Sequence, residues 1–127
     1  MITEDYCSYE IAKLLKEKGF DELCYYIYDE DGYILKLASS SYQNICDNNE
    51  CLCPTHQMAM KWLREEKHYY IQIMLDSWAL GGHSGYYIVI QDVNSDFSEL
   101  SPTEQVFFET HEDAVEEALK YCLENLI

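Results

Sequence analysis

Apolar residues recur every three or four positions in three stretches, Ser8 to Lys18, Thr55 to Lys67 and Thr110 to Asn125. Each stretch opens on a hydroxyl residue suited to cap a helix, so three helices are expected. Ile11, Ala12, Leu14 and Leu15 form the stripe of the first, with Lys16 and Lys18 favouring the negative end of its dipole. Gly19 can close it in the left-handed conformation, with Phe20 folding back on the last turn as in a Schellman motif. In the second, Ala59, Trp62, Leu63 and Met58 make the buried face, and Pro54 limits what precedes it. In the third, Val115, Ala118, Leu119, Cys122 and Leu126 share one side, and Thr110 stands at capping-box spacing from Asp113.

Between the helices the period changes. Leu23 to Tyr28 and Tyr33 to Leu37 read as strands joined by Asp29-Glu30-Asp31-Gly32, whose Asp-Gly supplies positive φ. Tyr69 to Leu75 alternates, with Tyr69, Ile71, Ile73 and Leu75 on one face and Tyr70, Gln72 and Met74 on the other. Gly81-Gly82-His83-Ser84-Gly85 is a reversal, and Tyr86 to Gln91 returns as the next strand. Ala38 to Pro54 and Asp92 to Pro102 read as loops, and Gln105 to Glu109 is the candidate for a short fifth strand.

Ala12-Lys13-Leu14-Leu15-Lys16-Glu17 answers Met60-Lys61-Trp62-Leu63-Arg64-Glu65 at a spacing of 48 residues. The order is thus helix, hairpin, helix, hairpin, short strand, helix, with a pseudo-repeat over about 8–37 and 55–91 and a last helix over about 111–126. The expected fold is α+β: one domain over 1–127, its two halves sharing a four- or five-stranded, mostly antiparallel sheet packed by three helices.

The charge narrows the function. Acidic residues number 24 against 8 basic ones, a net −16. Residues 68–127 hold 11 acids and one base, Lys120. Direct binding to nucleic acid needs cations to replace counterions, and this half lacks them. An acidic surface instead favours solubility and basic protein partners, or in a sharper version a decoy that mimics the phosphate backbone. The longest apolar runs, such as Ile88-Val89-Ile90, are too short to span a bilayer, so no membrane role is expected. The start, Met1-Ile2-Thr3-Glu4-Asp5, lacks the features of a secretory signal, which makes a reducing cytoplasm the expected setting for the six cysteines. Cys7, Cys24 and Cys122 read as small core hydrophobes.

Cys46, Cys51, Cys53 and His56 are the one candidate metal set, four soft or borderline ligands in number sufficient for tetrahedral zinc. The spacing argues against it: Cys51 and Cys53 are a tight pair for one ion, and His56 opens a helix where its ring is expected to face water. No cofactor is therefore assigned. His83, five residues after Trp78, reads as a turn residue, since Gly81-Gly82 has no following lysine or helix to cradle phosphate. His68 and His111 flank helices with no nucleophile beside them in sequence. The chain's 12 tyrosines are the other anomaly. Strand tyrosines usually pack with the hydroxyl at the rim, but Tyr26, Tyr28, Tyr70 and Tyr87 on an uncovered face would form a protein contact surface.

Ser8-x2-Ile11-Ala12-Lys13-Leu14-Leu15-Lys16-Glu17-Lys18-Gly19-Phe20-Asp21-Glu22, Cys53-Pro54-Thr55 with Ala59 to Glu65, and Glu112-Asp113-Ala114 with Ala118 to Ile127 carry a resemblance. These strings are similar to those of small uncharacterised proteins of anaerobic gut bacteria and their phages or prophages. The resemblance implies a phage or mobile-element setting and brings no catalytic residue with it. The expectation is a non-enzymatic acidic accessory protein working through protein contacts, with a homodimer through a tyrosine-bearing sheet face as one form. The alternatives are a small-ligand binder or enzyme with a pocket near the 78–87 hairpin, and a nucleic-acid mimic.

Overall fold

A computed structural model describes residues 1–36, 49–78, 80–94, 99–100 and 106–127, with only the backbone described at 99–100. Its elements are α1 (Tyr9–Glu17), β1 (Tyr26–Tyr28), β2 (Ile34–Lys36), β3 (Cys51–Cys53), α2 (His56–Glu66), β4 (Tyr69–Asp76), β5 (Gly85–Asp92), β6 (Glu99–Leu100) and α3 (His111–Tyr121), α3 continuing into a π-helical turn over Cys122–Leu126. The fold is α+β. The strands make two antiparallel sheets of three, ordered β2-β1-β3 and β4-β5-β6, in place of the single four- or five-stranded sheet expected. By contacts the chain resolves into two compact units, Met1–Ala59 and Met60–Ile127.

In the first unit, Ser8 caps α1 by accepting from the Ile11 N–H at 3.3 Å. At the other end the Phe20 N–H donates to Leu15 O (2.9 Å) and the Gly19 N–H to Lys16 O (3.1 Å), the two bonds of a Schellman motif. Gly19 stands at φ 94°, where a side chain would be strained. Ile11, Ala12 and Leu15 are buried, and α1 lies against β3. Strand β3 corrects the sequence reading, which placed Cys51–Cys53 in a loop. All three of its residues are buried, so it shows no alternation, and three residues are too few to display a period. The β1–β2 turn is closed by Asp29 Oδ1, which accepts the N–H groups of Asp31 and Tyr33 at 2.9 Å each.

In the second unit, β4 and β5 pair over eight residues each, from Tyr69↔Asp92 to Asp76↔Gly85. This register puts Ile71 opposite Ile90 and Ile73 opposite Ile88, and α3 lies against both strands. Ile71, Ile88 and Ile90 are buried, as are Ala114, Val115, Ala118, Leu119, Cys122 and Leu123 of the helical segment. The stripe is wider than the expected one, and Leu126 is only half-buried because the π-helical turn rotates the last residues away from α-helical spacing. Leu126 still contributes a carbonyl, which accepts from the Tyr69 hydroxyl at 3.1 Å. Thr110 caps α3 by accepting from the Asp113 N–H at 3.1 Å.

Two more sequence expectations change. Within Asp92 to Pro102, read as a loop, Glu99–Leu100 pairs with β5 as β6. The strand expected over Gln105 to Glu109 reduces to one bridge, in which Phe108 and Tyr86 exchange backbone hydrogen bonds of 2.7 and 2.8 Å; Gln105 lies outside the described residues.

Replacing either of two fully buried leucines should lower unfolding free energy by about 2–5 kcal/mol, through lost burial and the cavity left behind. Leu15→Ala and Leu119→Ala, unfolded in denaturant, are the variants to compare. Thr110→Ala should cost about 1 kcal/mol in the same assay, because it removes the side-chain acceptor at the start of α3.

Candidate functional site

Of the candidate metal set, Cys46 lies outside the described residues. Cys51 and Cys53 are two apart on β3 and so share a face, the one turned to α1 and the segment before it. The Cys53 thiol donates to Cys7 O at 3.6 Å. Desolvation pushes the Cys51 thiol up, only partly countered by Lys16 and Lys13, which opposes the thiolate a metal would need. His56 departs from expectation: it is buried, and its backbone N–H donates to Asp5 O at 2.8 Å. Its ring lies within 4.8 Å of the Cys7 thiol, itself 0 % exposed, rather than forming a three-ligand group with Cys51 and Cys53 among the described residues. Cys24 and Cys122 are core residues, and burial pushes both thiols up to about 12.

The four candidate tyrosines fall on two sheets, so they cannot share one face. Tyr26 and Tyr28 are on β1 and half-buried. Tyr26 packs edge-on to Tyr6, ring centroids 5.1 Å apart, and Tyr28 donates its hydroxyl to Cys7 O at 2.6 Å while leaning on Tyr9. They are structural. Tyr70 and Tyr87 do share a face: β4 presents Tyr70, Gln72 and Met74 on the side away from α3, beside Gln91, Val89 and Tyr87 of β5. Tyr87 packs against Phe107 at 5.9 Å, while Tyr70 carries the Arg64 guanidinium at 5.7 Å and remains at the surface.

Among the described residues, the most exposed apolar groups of this unit lie at the adjoining end of the same hairpin. Leu75 is 56 % exposed and Trp78 77 %. Asp76 Oδ1 accepts the Trp78 N–H at 3.0 Å, an Asx contact that orients the backbone from which the indole projects. Sequence reasoning reached Trp78 only as a neighbour of His83; His83 is also exposed, on the reversal made by Gly81 and Gly82 at positive φ.

The first unit holds an open cleft of about 490 Å³ lined by Tyr9, Lys13, Lys16, Glu17, Glu30, Asp31, Asn49 and Cys51. Tyr9 forms its wall: the hydroxyl donates to Glu30 O (3.0 Å), the Lys13 ammonium sits 4.6 Å from the ring centroid, and Gly32 lies so close that a Cβ there would be 2.9 Å from the ring. Lys16 reaches across to Glu50 O at 2.7 Å. Two lysines among three carboxylates give the cleft mixed charge, suited to weak polar contacts rather than to capture of a strong anion. It joins residues more than thirty apart in sequence, and no local motif announced it.

Two measurements check this account. Tyr28→Phe should cost about 1 kcal/mol, as it removes the 2.6 Å hydroxyl donor to Cys7 O. The buried Cys122 thiol keeps its proton to about pH 12 while an unfolded thiol loses it near 9.0, so the unfolded state binds fewer protons between those values. Stability from this group is complete below pH 9 and should fall as pH rises through that window, whereas Cys122→Ala should flatten the fall in thermal unfolding read against pH. Comparison with known protein families, with curated proteins and with solved structures finds no match to this chain.

Proposed function

We propose that this protein is a non-enzymatic acidic accessory protein that engages a basic protein partner, in the phage or mobile-element setting the helix strings suggest. One observation carries the reading: Trp78, 77 % exposed and held by its turn, stands in a half of the chain with 11 acids and one base. An exposed indole on a fixed backbone can fill a partner's pocket at low entropic cost. The net negative charge of this half favours a positively charged surface and disfavours an acidic one. Glu112, Asp113, Glu117 and Glu124, exposed along the last helical segment, add to that field.

The test is affinity capture from a lysate at physiological salt, with Trp78→Ala in parallel. A basic partner should be recovered by the unaltered chain, should be lost in high salt as charge is screened, and should bind Trp78→Ala more weakly by roughly 2 kcal/mol, about thirtyfold. If added duplex DNA displaces that partner, the narrower role of nucleic-acid decoy is supported. Recovery of no basic protein, alongside turnover of a small molecule, would sink the proposal.

A further inference from the structure

Among the described residues, no strand pairs with the outer edge of β4. The hydrogen-bonding direction of each residue follows from two contacts: the Val93 N–H donates to His68 O at 2.8 Å, and Tyr86 exchanges bonds with Phe108 on the far side of β5. In the alternating antiparallel ladder, Tyr70, Gln72, Met74 and Asp76 therefore turn their backbone groups toward β5, and Tyr69, Ile71, Ile73 and Leu75 turn theirs outward. Strands β5 and β6 lie on the other side, so among the described residues no strand meets those outward N–H and C=O groups.

Natural edges are blunted by charge, proline, a bulge or shortness. Tyr69 to Leu75 carries no charge and no proline in a chain of net −16, and its eight-residue strand pairs with β5 without a bulge. Tyr70 (36 %), Met74 (40 %) and Leu75 (56 %) are exposed along it. We infer that β4 is a self-association edge, where two copies pair antiparallel about a two-fold axis at Gln72 and join two three-stranded sheets into one of six.

The occupant follows from self-complementarity. A two-fold axis normal to the sheet keeps each residue on its own face, and centring it on Gln72 is the symmetric register that engages all four outward-directed residues of both copies. It sets Tyr69 opposite Leu75, Tyr70 opposite Met74 and Ile71 opposite Ile73 of the second copy, so aromatic and aliphatic groups meet throughout. The Leu75 side chain, on the α3 side of the sheet, gains the cover of Tyr69. The one acid of the strand, Asp76, falls opposite the position of His68, where a φ of 67° ends the ladder, and not opposite another acid.

This inference does not rest on the basic partner proposed above, and its salt response has the opposite sign, so each can fail alone. Sedimentation of the full chain from micromolar to millimolar concentration should show a dimer that tightens as salt rises, since screening relieves repulsion between two acidic copies. Gln72→Cys meets itself across the axis as a non-hydrogen-bonded pair, with Cα atoms about 4.5 Å apart, within disulfide reach. Mild oxidation should link it as a dimer, whereas Tyr70→Cys, which faces Met74, should stay unlinked. Gln72→Lys and Gln72→Glu should each weaken the dimer roughly fivefold, and their equimolar mixture should recover it as a heterodimer. Circular dichroism and thermal unfolding should leave the fold of each variant unchanged. A chain that is monomeric at every concentration and salt overturns the inference, as does a dimer indifferent to charge at Gln72 and unlinked by Gln72→Cys.

Discussion

With 24 acidic residues against 8 basic ones, the folded chain gathers carboxylates that repel one another, and apolar burial has to offset that repulsion. Part of the basic complement is spent on rings and carbonyls. Lys13, Arg64 and Lys67 lie over the rings of Tyr9, Tyr70 and Trp62, and Lys16 is bound to a backbone carbonyl. The ion pair of Lys61 and Glu65 spans 4.0 Å at the surface, where such pairs contribute little. Cohesion comes instead from uncharged stripes: Ile11, Ala12 and Leu15 in one unit, and Val115, Ala118 and Leu119 on the isoleucines of β4 and β5 in the other.

The same separation of roles governs what the surface can do. In β1 the tyrosines are consumed in packing, Tyr26 on Tyr6 and Tyr28 on Tyr9 and Cys7, whereas β2 leaves Ile34 and Leu35 exposed. In the second unit the far end of the hairpin presents Leu75 and Trp78 to solvent. The five described cysteines are spent on stability: all are buried, and they serve as small apolar groups.

Much of this was legible along the chain. Ser8, Thr55 and Thr110 each stand where they cap a helix, Gly19 and Phe20 close the first as their types imply, and the alternation of Tyr69 to Leu75 sorts the side chains onto two faces. These features are local: a cap, a turn and a strand period depend on residues within a few positions of each other. Strand β3 was illegible because all three of its residues are buried, and the burial of His56 because it depends on a segment some fifty residues earlier.

By itself, then, the sequence determined three capped helices, two hairpins, an α+β class and an acidic surface with few cations, all set by local spacing and composition. Only tertiary structure decided that the strands form two sheets, that Tyr26 and Tyr28 are structural while Trp78 stays exposed, and that the odd-numbered residues of β4 direct their hydrogen-bonding groups outward. Those outcomes turn on which strand lies beside which, a choice made by packing between distant segments that hydrophobic periodicity does not encode.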